Sequence, residues 1–485
     1  MLELAISLLT LPVFLAIAEW RFGLLLCLVT AIVQDPLRKL TPDQPVFYVA
    51  FVAVVFAGMC LGALVRGVSL NPNIIFKRYR HLATPFSMFF LLIIVQAFNS
   101  YLRFGNPMIT LLGLLTYVLP LISIACSYQL VFRQGGLRIY QFIKWYVVCM
   151  ALALTSVYLE YSGYHWQVLG TVGPRLVIFD TVSNQILQAY AGVFRAPEIA
   201  AWHAMTAASF ALLLIFSRGI SFTRILTAMA VATFLIGLGL LTGRRKIVIE
   251  FAVFISAYFI LWIILERHAS NLVGIAVTGA AVIGYFWLAA ELREDTVTTR
   301  YDRELLTSYS RYVAHSEAVF HAVPSRFVEL GIAPVTWAYD GFGLFGAGLG
   351  AGTQGAQHFG GGGAKAGAAE GGLGKITLEL GVPGLFVMGW LAILVLRYLW
   401  KIMRIASQHS RRMGRLCSAL FSFLVANIAG FSVATQAYGD LFVLLILSWV
   451  VGFLFTVPML LEREVRARQV ATVERISPVF RPRSA

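Results

Sequence analysis

Long apolar stretches separated by short polar or basic turns dominate the hydrophobic pattern of this chain. Each stretch is about 20 residues long, which is the length that an α-helix needs to cross the hydrocarbon core of a bilayer. The pattern therefore predicts an all-α polytopic membrane protein. The predicted spans lie near residues 45–65, 84–102, 109–131, 139–159, 199–217, 223–241, 247–265, 272–290, 374–396, 415–435 and 438–460.

The first 33 residues are apolar as well, but their pattern is ambiguous. Glu19, Trp20 and Arg21 divide them into two pieces, each short for a complete crossing. They fit a hairpin, a broken span or one full span, so the predicted total is about twelve or thirteen helices. No short apolar segment with a small-residue cleavage site precedes them, and we expect the N terminus to be retained.

One long polar segment, at residues 292–373, divides the predicted helices into two units. The first unit is residues 1–291, the second is residues 374–460, and a basic tail follows at residues 461–485. A shorter polar loop, residues 160–198, lies within the first unit. Irregular backbone in a membrane bundle is tolerated where it lines a polar cavity, so we expect function in these two loops.

The charge of the chain predicts its orientation. The chain is 59% hydrophobic and 13% charged, with a formal net charge of +15, and we find no nucleic-acid-binding module in it. Most basic residues fall in loops that successive spans place on one side, which the positive-inside rule assigns to the cytoplasm. These loops and the tail contain Arg66, Lys77, Arg78, Arg80, Arg133, Arg138, Lys144, Arg218, Arg224, Arg397, Lys401, Arg404, Arg411, Arg412, Arg415, Arg463, Arg466 and Arg468.

One basic cluster lies on the opposite side. Arg244, Arg245 and Lys246 form a tight turn between two apolar spans. Because the planar, permanently charged Arg fork pairs with phosphate oxygens in bidentate fashion, the turn predicts an anionic ligand such as a lipid diphosphate. It would also stabilise negative charge on a diphosphate leaving group. In the alternative, the arginines reach lipid phosphates and Lys246 pairs with Glu250.

The shorter loop contains basic residues and leads into a span whose first turns contain polar residues. It contains Arg175 and Arg195, and Glu198 and His203 lie in the first turns of the next span. A carboxylate is favourable in the first turn of a helix. We expect these four residues to contribute to an acceptor or diphosphate site. The alternative is an interfacial helix cap with a core histidine.

The long loop begins with amphipathic sequence. Apolar residues at helical spacing between Tyr301 and His321 predict a helix on the bundle surface or at the lipid interface. Pro324 ends it, and a second short helix fits Arg326 to Trp337. Arg326 is a further candidate substrate ligand.

Glycines fill the second half of the long loop. Nearly half of residues 341–374 are glycine. Such backbone can approach a ligand closely or move as a lid, and the alternative is a flexible linker. The stretch leads into Glu370, Lys375 and Glu379, which we interpret as site residues at the start of the next span. Glu370 is a candidate base for an acceptor hydroxyl, unless it is only an N-terminal helix carboxylate.

Several motifs resemble the O-antigen ligase and Wzy-type polysaccharide polymerase superfamily. They are Thr-Gly-Arg-Arg at 242–245, Gly-Leu-Gly at 348–350, the loop histidine His358, and Glu-Leu-Gly-Val-Pro-Gly-Leu at 379–385. The layout is similar too, with about twelve spans and one large loop before the last helices. Phe359 follows His358, where the ligases commonly have His-Asn or His-Ser.

The resemblance implies a membrane glycosyltransferase of glycosyltransferase-C-like fold in the bacterial inner membrane, with its active site facing the periplasm. Its donor would be an undecaprenyl-diphosphate-linked oligosaccharide, and the family's essential arginines and loop histidine would correspond to Arg244, Arg245 and His358. We expect a polymerase of O-antigen or exopolysaccharide repeats, with membrane lipids, a chain-length regulator and other envelope polysaccharide assembly proteins as partners. The alternatives are an O-antigen ligase acting on lipid A core, and a transporter or flippase of lipid-linked oligosaccharide. With arginines available to neutralise a diphosphate, we expect neither a metal ion nor a cofactor.

Overall fold

The computed structural model describes residues 2–173, 177–180, 185–217, 221–244, 246–266, 328–353 and 371–476. This part of the chain is mainly helical, which confirms the predicted all-α membrane fold. Ten of its helices are long and apolar enough to cross a membrane, and Ile249–Leu265 is a shorter apolar stretch within another helix. The predicted span at 272–290 lies outside the described residues.

The helices of the first half follow the predicted spans closely. The N-terminal 33 residues form two helices, because Glu19 accepts a hydrogen bond from the Arg21 backbone and starts a 3₁₀ turn at Trp20–Phe22. The first helix packs Val13 and Ile17 against Gly58 and Gly62, whereas the second places Gly23 against Met59 and Cys27 against Val52. The two therefore run in opposite directions and form the hairpin among the three predicted alternatives. The helices are α1 (Leu2–Ala18), α2 (Gly23–Leu40), α3 (Phe51–Val65), α4 (Asn73–Arg78), α5 (Ala83–Phe104), α6 (Pro107–Gln134) and α7 (Leu137–Tyr161).

The loop after α7 contains a small antiparallel hairpin that the hydrophobic pattern did not predict. Strand β1 (Val177–Asp180) pairs with β2 (Gln185–Gln188), and Val177 lies opposite Gln188. Two charged side chains, the buried Lys39 and the half-buried Glu160, attach the rest of the loop to the bundle. Lys39 Nζ donates to the carbonyls of Val168, Gly192 and Phe194 at 3.1, 2.8 and 2.7 Å. Glu160 accepts from two backbone amides of the loop at 2.9 and 2.7 Å.

The second half contains longer helices than the pattern predicted. Helix α12 (Gly372–His409) runs past the predicted end of its span, but it is interrupted at Gly381, whose left-handed φ of 71° separates two helical segments. Helix α14 (Leu441–Ile476) continues through much of the predicted basic tail. A π-helical turn at Val328–Ile332 precedes α11, close to the short helix expected at Arg326 to Trp337. The helices are α8 (Pro197–Phe216), α9 (Phe222–Leu240), α10 (Lys246–Glu266), α11 (Ala333–Phe342), α12 (Gly372–His409), α13 (Arg411–Val433) and α14 (Leu441–Ile476).

The core of the bundle surrounds α8. In its apolar window 89% of residues are buried, and it packs against α7, α9, α10 and α13. Large rings fill the space between these helices and α14, including Tyr146, Phe210, Phe423 and Trp449, which are all fully buried. Because neighbouring helices enclose α8 almost completely, the polar side chains at its start are held in place by packed protein groups.

The two ends of the bundle differ in their polar contacts. At one end, basic residues bind backbone carbonyls or single carboxylates. Arg66 donates to Ile17 O at 2.9 Å, and Arg78 pairs with Glu462 at 2.5 Å. We name this the basic end. The other end holds the starts of α8, α10, α12 and α14 together with several buried charges, and we name it the site end.

Candidate functional site

The turn between α9 and α10 forms one wall of a small pocket of about 30 Å³ at the site end. We name it the polar pocket, because several charged and polar side chains border it. The pocket also involves the first turns of α8 and the segment between α13 and α14. Its lining residues are Glu198, Ala201, Trp202, Arg244, Ile247, Glu250, Ala434, Gln436, Ala437 and Tyr438. The basic turn and the polar start of α8, which the sequence selected separately, are thus parts of one site.

The local sequence of the turn explains the position of Arg244. The buried Thr242 hydroxyl donates to Gly239 O at 2.6 Å, which ends α9. Gly243 adopts a left-handed φ of 71°, a conformation that favours glycine, and it reverses the chain. The Arg244 backbone amide then lies 3.4 Å from the Thr242 hydroxyl. The side chain of Arg244 is consequently directed from the turn towards α8.

Arg244 forms an ion pair with Glu198 inside the pocket. The two side chains are only 18% and 14% exposed, so the pair is mostly removed from water. The Nε atom of Arg244 is buried and has no hydrogen-bond partner among the described residues. An unsatisfied buried donor is costly, so part of the guanidinium remains available to an anion.

Tyr438 and Glu250 form the opposite wall. The Tyr438 hydroxyl donates to Asn427 O at 3.0 Å and lies 3.5 Å from a Glu250 carboxylate oxygen. Asn427 Oδ1 also accepts from Trp202 Nε1 at 2.8 Å. Burial raises the pKa of the Tyr438 phenol well above its usual range, and the Glu250 carboxylate raises it further. Tyr438 is therefore a neutral hydrogen-bond donor at neutral pH.

The space for the Glu250 carboxylate depends on a glycine of α13. A Cβ atom at Gly430 would lie 2.0 Å from Glu250 Oε1 and 2.7 Å from the Tyr438 hydroxyl. Glu250 itself is only 6% exposed, in the second turn of an otherwise apolar helix. Carboxylates at such positions are expensive in membrane helices and usually functional.

The glycine segment from Gly343 to Gly352 packs against three helices. Gly346 contacts the backbone of α12, Gly348 contacts Ser100 on α5, and Gly350 contacts Ile109 on α6, each too closely for a Cβ atom. All three have left-handed φ angles, between 69° and 101°. This part of the predicted loop is therefore a packed element and not a linker, whereas residues 354–370 lie outside the described part.

Glu379 fixes the end of this segment. It accepts hydrogen bonds from the Tyr117 hydroxyl at 2.7 Å, the Gly352 amide at 3.0 Å and the Thr353 hydroxyl at 3.1 Å. Lys375, one helical turn earlier, is 5% exposed and lines a neighbouring cavity together with Tyr117 and Tyr438. The structure thus places Lys375 in the lining of the neighbouring cavity, whereas Glu379 acts on the glycine segment.

Arg195 and His203 lie behind the pocket and do not line it. Arg195 binds Asp440 at 2.7 Å and lies 3.9 Å from Asp35, and these carboxylates outweigh the effect of burial and raise the pKa of Arg195. His203 is 3% exposed, and its Nδ1 lies 2.8 Å from the Tyr146 hydroxyl. Their predicted contact with a substrate stays a prediction, but both have protein partners that account for their burial.

Five predicted site residues lie outside the described residues: Arg175, Arg245, Arg326, His358 and Glu370. Their roles stay predictions. Within the described ranges, no cluster of three or more His, Cys, Asp or Glu side chains is arranged to hold a metal ion.

Sequence reasoning missed Tyr438 and Asn427, and it treated Glu250 only as a partner of Lys246. A carboxylate inside an apolar span could have identified Glu250. Tyr438 and Asn427 had no comparable feature. Tyr438 reaches the pocket, and Asn427 meets Tyr438 and Trp202, only through the packing of α13 against its neighbours.

Comparison with known proteins gives no functional assignment. No protein-family model matches the chain, and no curated protein matches it either. Any function assigned to the pocket therefore depends on the chemistry of its own residues.

Proposed function

We propose that the protein is a membrane glycosyltransferase that polymerises a polysaccharide from undecaprenyl-diphosphate-linked repeats. The observation that supports this most is Arg244, a largely buried guanidinium with a spare donor, in a pocket with two carboxylates. The pocket lies at the end of the bundle opposite the basic loops, which is the periplasmic side if those loops are cytoplasmic. The resemblance of the motifs and the layout points to the same reaction.

In this reaction, a hydroxyl oxygen of the acceptor sugar attacks the anomeric carbon of the donor glycan. The bond between that carbon and the diphosphate oxygen breaks, and the lipid diphosphate leaves with the bonding electrons. Arg244 stabilises the negative charge that forms on this leaving group, because its guanidinium is fixed before the reaction begins. Glu198 keeps the guanidinium in place, and Tyr438, whose hydroxyl donates to Asn427 O, forms the opposite wall of the pocket.

A carboxylate accepts the proton of the attacking hydroxyl. Among the described residues we assign this role to Glu250, which faces the pocket beside Tyr438. His358 and Glu370 remain the sequence-based candidates for the same step. With a fixed guanidinium opposite the diphosphate, we expect transfer to proceed in the presence of EDTA.

The proposal is tested by the glycolipids that accumulate when the gene is deleted. Loss of a polymerase should leave single repeats on the lipid carrier on the periplasmic side, because repeats are no longer joined. The lipid fraction is separated and its glycan length is measured by mass spectrometry. Purified wild-type protein should then extend these single repeats in detergent with EDTA present.

Other accumulation patterns would assign the protein differently. Long chains that stay on the lipid carrier would indicate a ligase. Single repeats held on the cytoplasmic side would indicate a flippase. Strict dependence of the purified protein on added Mg²⁺ or Mn²⁺ would contradict the metal-independent reaction.

A further inference from the structure

Asn427 of α13 is the centre of a hydrogen-bond network behind the polar pocket. Its Oδ1 accepts from Trp202 Nε1 at 2.8 Å, and its Nδ2 donates to Phe423 O at 2.8 Å. An indole N–H can only donate and a backbone carbonyl can only accept, so these two contacts fix which atom of the Asn427 amide is the oxygen. Trp202 and Asn427 are 2% and 3% exposed, so packed protein groups hold the network in place.

The orientation of Asn427 determines how the Tyr438 hydroxyl uses its single proton. The hydroxyl lies 3.0 Å from Asn427 O, 3.2 Å from Asn427 Oδ1 and 3.5 Å from a Glu250 carboxylate oxygen. All three neighbours are hydrogen-bond acceptors. Because burial raises the pKa of the phenol, it stays protonated at neutral pH. Its proton is therefore donated to Asn427, the nearest acceptor.

The phenol oxygen of Tyr438 can consequently only accept a hydrogen bond from a further partner. A hydroxyl group has one proton and two lone pairs. The Trp202 indole also donates towards this oxygen, which uses one lone pair and leaves the other. If the proton turned to a ligand, the bond to Asn427 O would break. Tyr438 thus presents an acceptor to the pocket, as the Glu250 carboxylate beside it does.

The size of the pocket limits what these two acceptors bind. About 30 Å³ is room for about two groups of the size of a water molecule, and it is too small for a sugar ring. A ring therefore stays outside, and only its hydroxyl groups enter. Two acceptors 3.5 Å apart suit two hydroxyl groups on adjacent carbons of one sugar.

We infer that Tyr438 is a specificity-determining residue that accepts a hydrogen bond from a second hydroxyl of the acceptor sugar, adjacent to the hydroxyl whose proton Glu250 receives. The inference rests on the proposed function for the identity of the ligand as a sugar. It goes further in naming the class of acceptor, which is a sugar with two free hydroxyl groups on adjacent carbons. A sugar without the second hydroxyl binds more weakly, because the phenol oxygen then lacks its donor.

Fluorinated tyrosines at position 438 test the direction of this hydrogen bond. Fluorine withdraws electrons from the ring, so the phenol becomes a weaker acceptor and a stronger donor. With lipid-linked single repeats from the deletion strain, 3-fluorotyrosine and 3,5-difluorotyrosine should raise KM stepwise, by about three- to tenfold in total. The kcat should stay within about twofold of the wild type, because this contact is the same before and during transfer.

Tyr79 is the matched control for these replacements. It is 5% exposed, as Tyr438 is, and its hydroxyl donates to a backbone carbonyl, Phe455 O, at 3.2 Å. It lies at the basic end, away from the polar pocket. The same fluorinated residues at position 79 should leave both KM and kcat unchanged.

A binding measurement separates this inference from the proposed function. The fluorine NMR resonance of 3-fluorotyrosine at position 438 in the purified protein should shift when lipid-linked single repeats are added. It should not shift with undecaprenyl phosphate, which carries no sugar. A shift without extension of the repeats would contradict the proposed function and support the inference. An equal shift with undecaprenyl phosphate, no shift with the repeats, or a KM that falls or stays constant on fluorination would overturn the inference even if transfer occurs.

Discussion

Arg195 and Arg244 are buried to almost the same degree, but their surroundings differ. Their side chains are 16% and 18% exposed. Arg195 faces two carboxylates, Asp440 and Asp35, in the interior of the site end. Arg244 faces one carboxylate and lines a small pocket. One buried nitrogen of each guanidinium, Nη1 of Arg195 and Nε of Arg244, has no hydrogen-bond partner among the described residues.

The difference between the two arginines shows how a buried charge can be assigned to folding or to ligand binding. The partners of Arg195 also organise backbone: Asp440 accepts from the amides of Phe442 and Val443 at 2.7 and 3.0 Å, and Asp35 accepts from the Arg195 amide at 2.9 Å. This cluster therefore joins α2, the loop before α8 and the start of α14. Burial and an unpaired nitrogen do not identify a site, because Arg195 has both. The features that distinguish Arg244 are its single carboxylate partner and its position in the lining of a pocket.

Asp440→Asn should have the largest effect, and the effect should be on stability. The amide oxygen can still accept from α14, but Arg195 keeps only the more distant Asp35 as a counter-charge. Breaking a buried pair in this way costs about 3–5 kcal/mol. We expect low membrane abundance and a lower Tm, measured by detergent-extracted yield and fluorescence-detected melting.

Asp340→Asn is the control for this substitution, since Asp340 is exposed on α11 at the same end. It should leave abundance and Tm unchanged. If Asp440→Asn is stable but inactive, Arg195 belongs to the substrate site, as the sequence predicted. The contrast between the two arginines would then be wrong.

Arg244→Lys should have the second-largest effect, and this effect should be on turnover and not on stability. A lysine can keep the ion pair with Glu198, but it loses the planar fork that binds two phosphate oxygens. We expect the extension of lipid-linked single repeats to fall on the order of 100-fold, as for the loss of a preorganised transition-state donor. Abundance and Tm should remain close to those of the wild type.

Arg103→Lys is a suitable control, because Arg103 is exposed and stacks on Phe342 outside the pocket. It should preserve turnover. Wild-type turnover in both Arg244→Lys and Arg244→Ala would show that Arg244 takes no part in transfer. The ion pair with Glu198 would then be structural, like that of Arg195.

The apolar stretches of the sequence predicted the membrane helices well, because a helix that crosses a bilayer needs about 20 consecutive, mainly apolar residues. It also identified the turn at Arg244, since a basic cluster on the wrong side of a bundle is visible without tertiary structure. The ends of α12 and α14 were less predictable. Both helices continue past their apolar segments because polar sequence without a helix breaker can remain helical.

The sequence did not predict which residues pair with each other inside the site. Glu198 and Arg244 meet from different helices, and Tyr438 reaches Glu250 across a much longer stretch of chain. Periodicity places each residue on a helix face but does not state which faces meet. For the same reason Arg195 and Glu198, close in sequence, were assigned to one site, although the first lies in the charge cluster behind the pocket and the second lines it.

Gly430→Ala should have the smallest of the three effects and tests Glu250 within the pocket. The new methyl group would lie 2.0 Å from the Glu250 carboxylate, so that carboxylate must move. Overpacking of this kind costs about 1–3 kcal/mol, and we expect a modest fall in Tm with a several-fold fall in turnover. The double variant Gly430→Ala with Glu250→Ala removes the closer contact, whereas the Tyr438 hydroxyl, 2.7 Å from the new methyl group, must still shift. It should recover part of the Tm but not turnover if Glu250 accepts the proton, whereas recovery of turnover as well would show that Glu250 serves only packing. Gly389→Ala, on α12 with open space around its Cβ position, should change neither quantity.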